Sequence, residues 1–113
     1  MHDHIIIRSV PGTWVLRAAD AIIGESSHAL ELTEGDRKPE IFVPRADILP
    51  VFLEENPTPA HHRRQGDIRY FHIHTAAGPM RDAVKMLINP SADFARLSDY
   101  LSFDPDRVTI EQV

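Results

Sequence analysis

Proline and glycine divide this chain into short segments. Nine prolines and five glycines are distributed over its 113 residues. Proline interrupts helices and central strands, and both residues favour turns. Few of the intervening stretches could form a long helix, and several are rich in β-branched residues. The spacing of proline and glycine therefore predicts a mainly β domain of short antiparallel strands.

The predicted strands share β-branched or alternating apolar residues and end at turn residues. In the clearest one, Tyr70, His72 and His74 fall on one face and Phe71 and Ile73 on the other. Residues 56–64 are polar and contain two prolines, which predicts an exposed loop. The predicted strands are residues 5–10, 14–19, 21–24, 28–33, 41–43, 51–55, 68–75 and 108–113.

Two segments carry helical patterns. In residues 79–88 the apolar positions fit a helix that begins at Pro79, but residues 83–88 fit a buried strand equally well. Ser91 is a suitable N-cap for a short helix near the C-terminus, with Phe94, Leu97 and Leu101 on one stripe.

Composition limits the class of protein. Hydrophobic residues make up 42% of the chain and charged residues 26%, which is typical of one globular domain, here residues 1–113. The net charge of −5 argues against nucleic-acid binding and against binding to anionic membranes. There is no cysteine, which excludes disulfides and thiolate sites. No long apolar run or leader pattern is present, so we expect a cytoplasmic protein with no membrane partner.

Histidine is frequent, with seven in the chain. His72 and His74 lie two residues apart on a predicted strand, so both imidazoles point to one side. Together with His61 or His62 from the preceding loop they would supply three nitrogen ligands, the number used by a catalytic zinc site. The alternative is that His72 and His74 simply lie on a solvent-facing strand surface, and no cofactor is then expected.

A polar pocket is the main functional hypothesis. Arg45 and Arg64 could bind a carboxylate or phosphate with their guanidinium forks, and Tyr70, His72 and His74 could complete a site for a small anionic molecule.

The same residue types also have structural explanations. Arg45 could pair with Asp47, and Arg107 with Asp104 or Asp106. Tyr70 could pack with its hydroxyl at the rim of the core. If these side chains are structural, the domain could be a non-catalytic interaction module or a homodimer, because short sheets have edges to protect. None of the familiar catalytic or phosphate-binding motifs occurs, so whether the protein is an enzyme stays open.

Three motifs, in order, resemble a bacterial family known as domain of unknown function 427. They are an apolar strand followed by Pro44-Arg45-Ala46-Asp47, the segment Gly66-Asp67 followed by Tyr70-Phe71, and the segment from Tyr100 to Val108. The resemblance implies a compact β-tent-like domain of two small antiparallel sheets with little helix. It also implies that residues 82–88 form a strand.

The chain departs from this family at its central motif. The family usually has Cys-Pro-Tyr-Lys-Gly where this chain has His62-Arg63-Arg64-Gln65-Gly66, and a tryptophan where it has Lys85. The family is sometimes labelled nucleotidyltransferase-like. This chain lacks the glycine-serine loop and paired aspartates that such an activity would use.

Overall fold

A computed structural model describes residues 4–113. Within these residues it contains eleven strands and three short 3-10 helices. The strands are β1 (Ile5–Ser9), β2 (Trp14–Ala18), β3 (Ala21–Ser26), β4 (Leu30–Glu34), β5 (Glu40–Pro44), β6 (Leu53–Glu55), β7 (Ala60–His62), β8 (Gly66–Thr75), β9 (Gly78–Pro90), β10 (Tyr100–Phe103) and β11 (Val108–Gln112). The 3-10 helices are Arg45–Asp47, Pro50–Phe52 and Ala92–Leu97.

The strands form two antiparallel sheets, as the family resemblance implied. The larger sheet has eight strands in the order β1-β4-β5-β10-β9-β8-β6, with β7 also paired to β8. The smaller sheet has the order β11-β2-β3. Every strand pair is antiparallel, which short connections of this kind favour.

The two sheets pack face to face over the main hydrophobic core. Leu16 and Ile23 of the small sheet and Val43, Phe71 and Leu101 of the large sheet are fully or almost fully buried in it. Alternation along each strand explains the pattern, because every second side chain faces the opposite sheet. This core holds the two sheets together.

The other face of the large sheet carries a second, smaller core. Phe42, Ile68 and Leu87 point to this side and are covered by Phe94 and Leu97 of the Ala92–Leu97 helix. The large sheet is therefore buried on both faces over part of its area. Next to this second core the same face becomes polar.

Residues 82–88 lie within strand β9, so the family-based prediction is confirmed. The helix-like spacing arises because the strand is buried on both faces and is interrupted by register shifts against β8. An irregular strand between two cores loses the period of two that marks a half-exposed strand.

Three sequence-based predictions were wrong in detail. Residues 51–52, predicted as the start of a strand, belong to the Pro50–Phe52 helix, which precedes β6. The C-terminal helix ends at Leu97, and Leu101 belongs to β10, because Asp99 adopts a positive φ of 66° that reverses the chain. Residues 60–62, predicted to be part of a loop, form β7 on β8. No helix among residues 4–113 is long and apolar enough to cross a membrane.

The turn between β10 and β11 is held by Arg107, as the sequence predicted. Its Nε donates to Asp104 Oδ2 at 2.7 Å, and one terminal nitrogen donates to the Arg81 carbonyl at 2.7 Å. The backbone N–H of Asp106 and the Arg107 guanidinium hold the pKa of Asp104 below its usual value. This turn fastens the small sheet to β9.

A close backbone approach joins the small sheet to the end of the Arg45–Asp47 helix. Gly24 of β3 bridges to Ile48, and a Cβ at position 24 would lie 2.6 Å from the Asp47 carbonyl oxygen. Only glycine fits there without moving the backbone of the neighbouring segment.

We therefore expect Gly24→Ala to lower the free energy of unfolding by about 1–3 kcal/mol, the usual cost of overpacking. Chemical denaturation followed by tryptophan fluorescence measures it. Glu25→Ala, at an exposed position of the same strand, should change stability by less than about 0.5 kcal/mol. Equal effects of the two substitutions would contradict this explanation.

Candidate functional site

The five predicted ligand-binding residues do not converge on one pocket. Phe71 faces the main core and contacts Arg45, whereas Tyr70 packs against the second core on the opposite face of the large sheet. Arg64 lies in the turn between β7 and β8, near one end of β8, and His74 lies near the other end. The alternation of β8 thus separates Arg45 from Tyr70, His72 and His74, whereas Arg64 lies outside β8 and approaches Glu34.

His72 and His74 each have a local partner. The Nδ1 of His72 accepts the backbone N–H of Asp82 at 3.0 Å. The Nε2 of His74 lies 2.8 Å from Glu54 Oε1 on the neighbouring β6. These contacts link β8 to β9 and β6. The His72 side chain is 13% exposed and that of His74 is 49% exposed.

The other two candidate histidines lie far from this pair. His61 contacts Asp67, whose pKa is lowered mainly by that hydrogen bond. His62 lies opposite Gly66, which is about 20 Å along the strand from His72 at ~3.3 Å per residue. His62, His72 and His74 are therefore not neighbours, and residues 4–113 contain no group of three or more His, Cys, Asp or Glu side chains that could hold a metal ion.

A chain of polar side chains lies beside the second core. Gln65 is buried and connects two charged groups: its Nε2 donates to Glu34 Oε1 at 2.9 Å, and its Oε1 accepts from Lys85 Nζ at 3.1 Å. Lys85 Nζ also lies 2.8 Å from Glu40 Oε2, which accepts a hydrogen bond from the hydroxyl of buried Ser102. We call Glu34, Gln65, Lys85, Glu40 and Ser102 the polar chain.

Two cavities adjoin the polar chain. The smaller, of about 110 Å³, is lined by Leu32, Glu34, Arg37, Lys38, Glu40, His62, Gln65 and Lys85. The larger, of about 270 Å³, includes Tyr70 among its lining residues. Glu40 and Lys85 contribute to both. Charged groups are costly to bury, and the ion pair and hydrogen bonds of the polar chain offset part of that cost beside these cavities.

Sequence reasoning missed most of the polar chain. Gln65 and Lys85 are among the positions at which the chain departs from the family pattern, and this departure was the one sequence signal that pointed to them. Glu34 follows Leu30 and Leu32 on the same strand face, so its burial could have been inferred from alternation. Nothing in the sequence indicated that Glu40 and Ser102 would meet, because they are separated by 62 residues.

A large groove lies on the other side of the sheet, where the Arg45–Asp47 and Pro50–Phe52 helices approach β8. Its volume is about 900 Å³. Most of its lining is apolar, with Arg45, Glu55 and Asp99 as the charged residues. The lining residues are Pro44, Arg45, Ala46, Ile48, Pro50, Leu53, Glu55, Phe71, Asp99 and Tyr100.

Arg45 does not pair with Asp47, which corrects the structural expectation for this arginine. Asp47 instead accepts a hydrogen bond from Ser26 at 2.7 Å. The Arg45 guanidinium carbon lies 5.0 Å from the centre of the Phe71 ring, within the range of a cation–π contact. The 3-10 turn directs the two side chains apart, which the order of residues does not reveal.

The polar chain generates a stability prediction. Lys85→Met should lower the free energy of unfolding by about 1–3 kcal/mol, because it removes hydrogen-bond partners from Gln65 and Glu40. If Lys85 and Glu40 are coupled, Lys85→Met/Glu40→Gln should cost less than the sum of the single substitutions, as measured by urea denaturation.

The exposed Lys38 provides the matched control, and Lys38→Met should change stability by less than about 0.5 kcal/mol. Strict additivity in the double variant would show that the contact between Lys85 and Glu40 contributes nothing to folding.

Comparison with known proteins agrees with the motifs noted in the sequence. A search of curated proteins finds no match to the chain. A family model described as domain of unknown function (DUF427) matches residues 6–113. That match extends from β1 through β11 and includes both the polar chain and the groove. The chain therefore belongs to the DUF427 family.

Proposed function

We propose that this domain binds a small organic anion with a flat apolar body in the groove beside Arg45. The main support for this proposal is that the Arg45 guanidinium contacts an aromatic ring and has no carboxylate partner among residues 4–113. The guanidinium lies against Phe71, and no carboxylate among residues 4–113 forms an ion pair with it. A planar cation held against an aromatic ring keeps its hydrogen-bond donors for a carboxylate or phosphate.

The groove suits a ligand of this class in size and lining. Small-molecule sites typically enclose about 300–1,000 Å³ and combine apolar walls with a few polar groups. Ile48, Leu53 and Phe71 supply apolar surface, and Tyr100 also contributes to the lining. These walls would cover the body of the ligand while Arg45 binds its charge.

The two acidic residues of the groove are compatible with an anion. Glu55 Oε1 lies 3.8 Å from Arg69 Nε, so its charge is partly balanced. Asp99 is exposed, and solvent and salt screen its repulsion. Arg45 remains the cation closest to the apolar walls.

Of the five residues predicted to form a ligand pocket, only Arg45 lines this groove. Tyr70, His72, His74 and Arg64 do not line the groove.

Titration with benzoate, followed by amide NMR, tests the proposal. We expect saturable shifts at Phe71, Tyr100 and the Arg45–Asp47 turn, with phenyl phosphate acting similarly and neutral benzamide at least tenfold more weakly. Arg45→Ala should weaken benzoate binding by about tenfold or more, the value of a charge-assisted hydrogen bond.

Arg63→Ala is the control, because it removes the same charge from an exposed position in the β7–β8 turn. Its benzoate affinity should match that of the unsubstituted protein. Benzoate shifts that are absent, or that persist unchanged in Arg45→Ala, would refute the proposal.

A second candidate function is assembly of identical copies. Ile22, Leu49 and Val51 are large apolar side chains that are 50%, 51% and 76% exposed. A hydrogen bond from the Leu49 N–H to the Ile23 carbonyl, at 2.9 Å, brings their two segments together. A second copy could cover this exposed apolar patch.

Native mass spectrometry and sedimentation velocity test this second function. If copies associate here, Leu49→Glu should shift the dimer toward monomer by at least tenfold in dissociation constant. Val113→Glu, at another exposed apolar position, should leave association unchanged. A monomer at every concentration would exclude the assembly role.

A further inference from the structure

The smaller cavity beside the polar chain contains a buried carboxylate oxygen without a hydrogen-bond donor. The side chain of Glu34 is only 6% exposed. Its Oε1 accepts from Gln65, but among residues 4–113 its Oε2 has no hydrogen-bond partner. Arg64 forms a long ion pair with Oε2, at 3.9 Å, which is beyond hydrogen-bonding distance.

An unsatisfied buried carboxylate oxygen is costly, and folded proteins rarely leave one without a partner. Glu34 lines the cavity of about 110 Å³, so a bound molecule could supply the missing donor. Because the acceptor is ionic, a positively charged N–H group would satisfy it best.

His62 also lines this cavity. Its Nδ1 accepts the backbone N–H groups of Arg64 and Gln65, at 3.1 and 3.2 Å. A neutral imidazole that accepts at Nδ1 carries its proton on Nε2. The Nε2–H of His62 is therefore the donor that this side chain could give to a ligand.

Charges of both signs surround the space. Glu34 and Glu40 are acidic, and Arg37, Lys38 and Lys85 are basic. A simple anion would meet two carboxylates, and a simple cation would meet three basic side chains. A molecule that carries both charges can match each pole with its opposite.

We propose that this cavity binds a small α-amino acid, with its ammonium group on Glu34 Oε2 and its carboxylate facing His62 and the basic side chains. The volume supports a small side chain, because 110 Å³ is the space of roughly four water molecules at ~30 Å³ each. The site lies on the opposite face of the large sheet from the Arg45 groove and does not depend on the function proposed there.

The buried side-chain amide of Gln65 provides a direct probe, since it bonds to both Glu34 and Lys85. Nitrogen–proton NMR of the full chain would follow this amide during titration with glycine, L-alanine, acetate, methylammonium and L-tryptophan. We expect saturable shifts with glycine and L-alanine. At the same concentrations acetate, methylammonium and the larger L-tryptophan should act at least tenfold more weakly.

Glu34→Gln tests the role of the charge while keeping the side-chain size. It should weaken glycine binding by about tenfold or more. Glu31→Gln is the matched control, because Glu31 lies on the same strand and pairs with Arg8 rather than lining the cavity. Its glycine affinity should be unchanged.

Each outcome supports or overturns the proposal. The titration of the unsubstituted protein does so even if the Glu34→Gln variant does not fold. Shifts with glycine and L-alanine that are lost in Glu34→Gln support it. Equal shifts with acetate would make the cavity an anion site, and equal shifts with methylammonium a cation site; either result overturns the proposal. No shift of the Gln65 amide with either amino acid at about millimolar concentration would mean that water alone satisfies Glu34, which also overturns it.

Discussion

The antiparallel pairing of β8 with β9 is the constraint on which the rest of the structure depends. It extends from Gly66 to Thr75 and contains two register shifts. Alternation along the pair sends Phe71 and Val84 into the main core and Tyr70 and Lys85 to the other face. One ladder thereby supplies the floor of the Arg45 groove and a wall of the polar chain, on opposite sides of one sheet.

This two-sided burial explains why polar groups could accumulate beside the second core. An antiparallel sheet can leave one face to water, but here the Ala92–Leu97 helix covers only part of that face. The remainder is shielded enough to bury Glu34, Gln65 and Ser102. Burial strengthens their hydrogen bonds and makes each missing partner more costly. Because Glu34 is shielded from water, the lack of a hydrogen-bond donor to its Oε2 among residues 4–113 is costly.

Several features of the fold follow from the sequence because they depend on neighbouring residues. Alternation in residues 68–75 identified β8, and turn residues identified the ends of most other strands. Local chemistry also predicted the pairing of Arg107 with Asp104. The same local reasoning failed for Leu101, because a positive φ at Asp99 ended the helix before it, and for residues 60–62, whose strand exists only through pairing with β8.

By itself, the sequence determined a small, mainly β domain of the DUF427 family. It also suggested which charged side chains could bind a ligand. Tertiary structure alone decided how those side chains are grouped. It separated Arg45 from Tyr70. Arg45 contacts Phe71, and Tyr70, the residue before Phe71 on β8, faces the opposite side of the sheet. It also joined Glu40 to Ser102 across 62 residues. Local patterns establish which face of a strand a residue occupies, whereas strand order and register decide what it meets there.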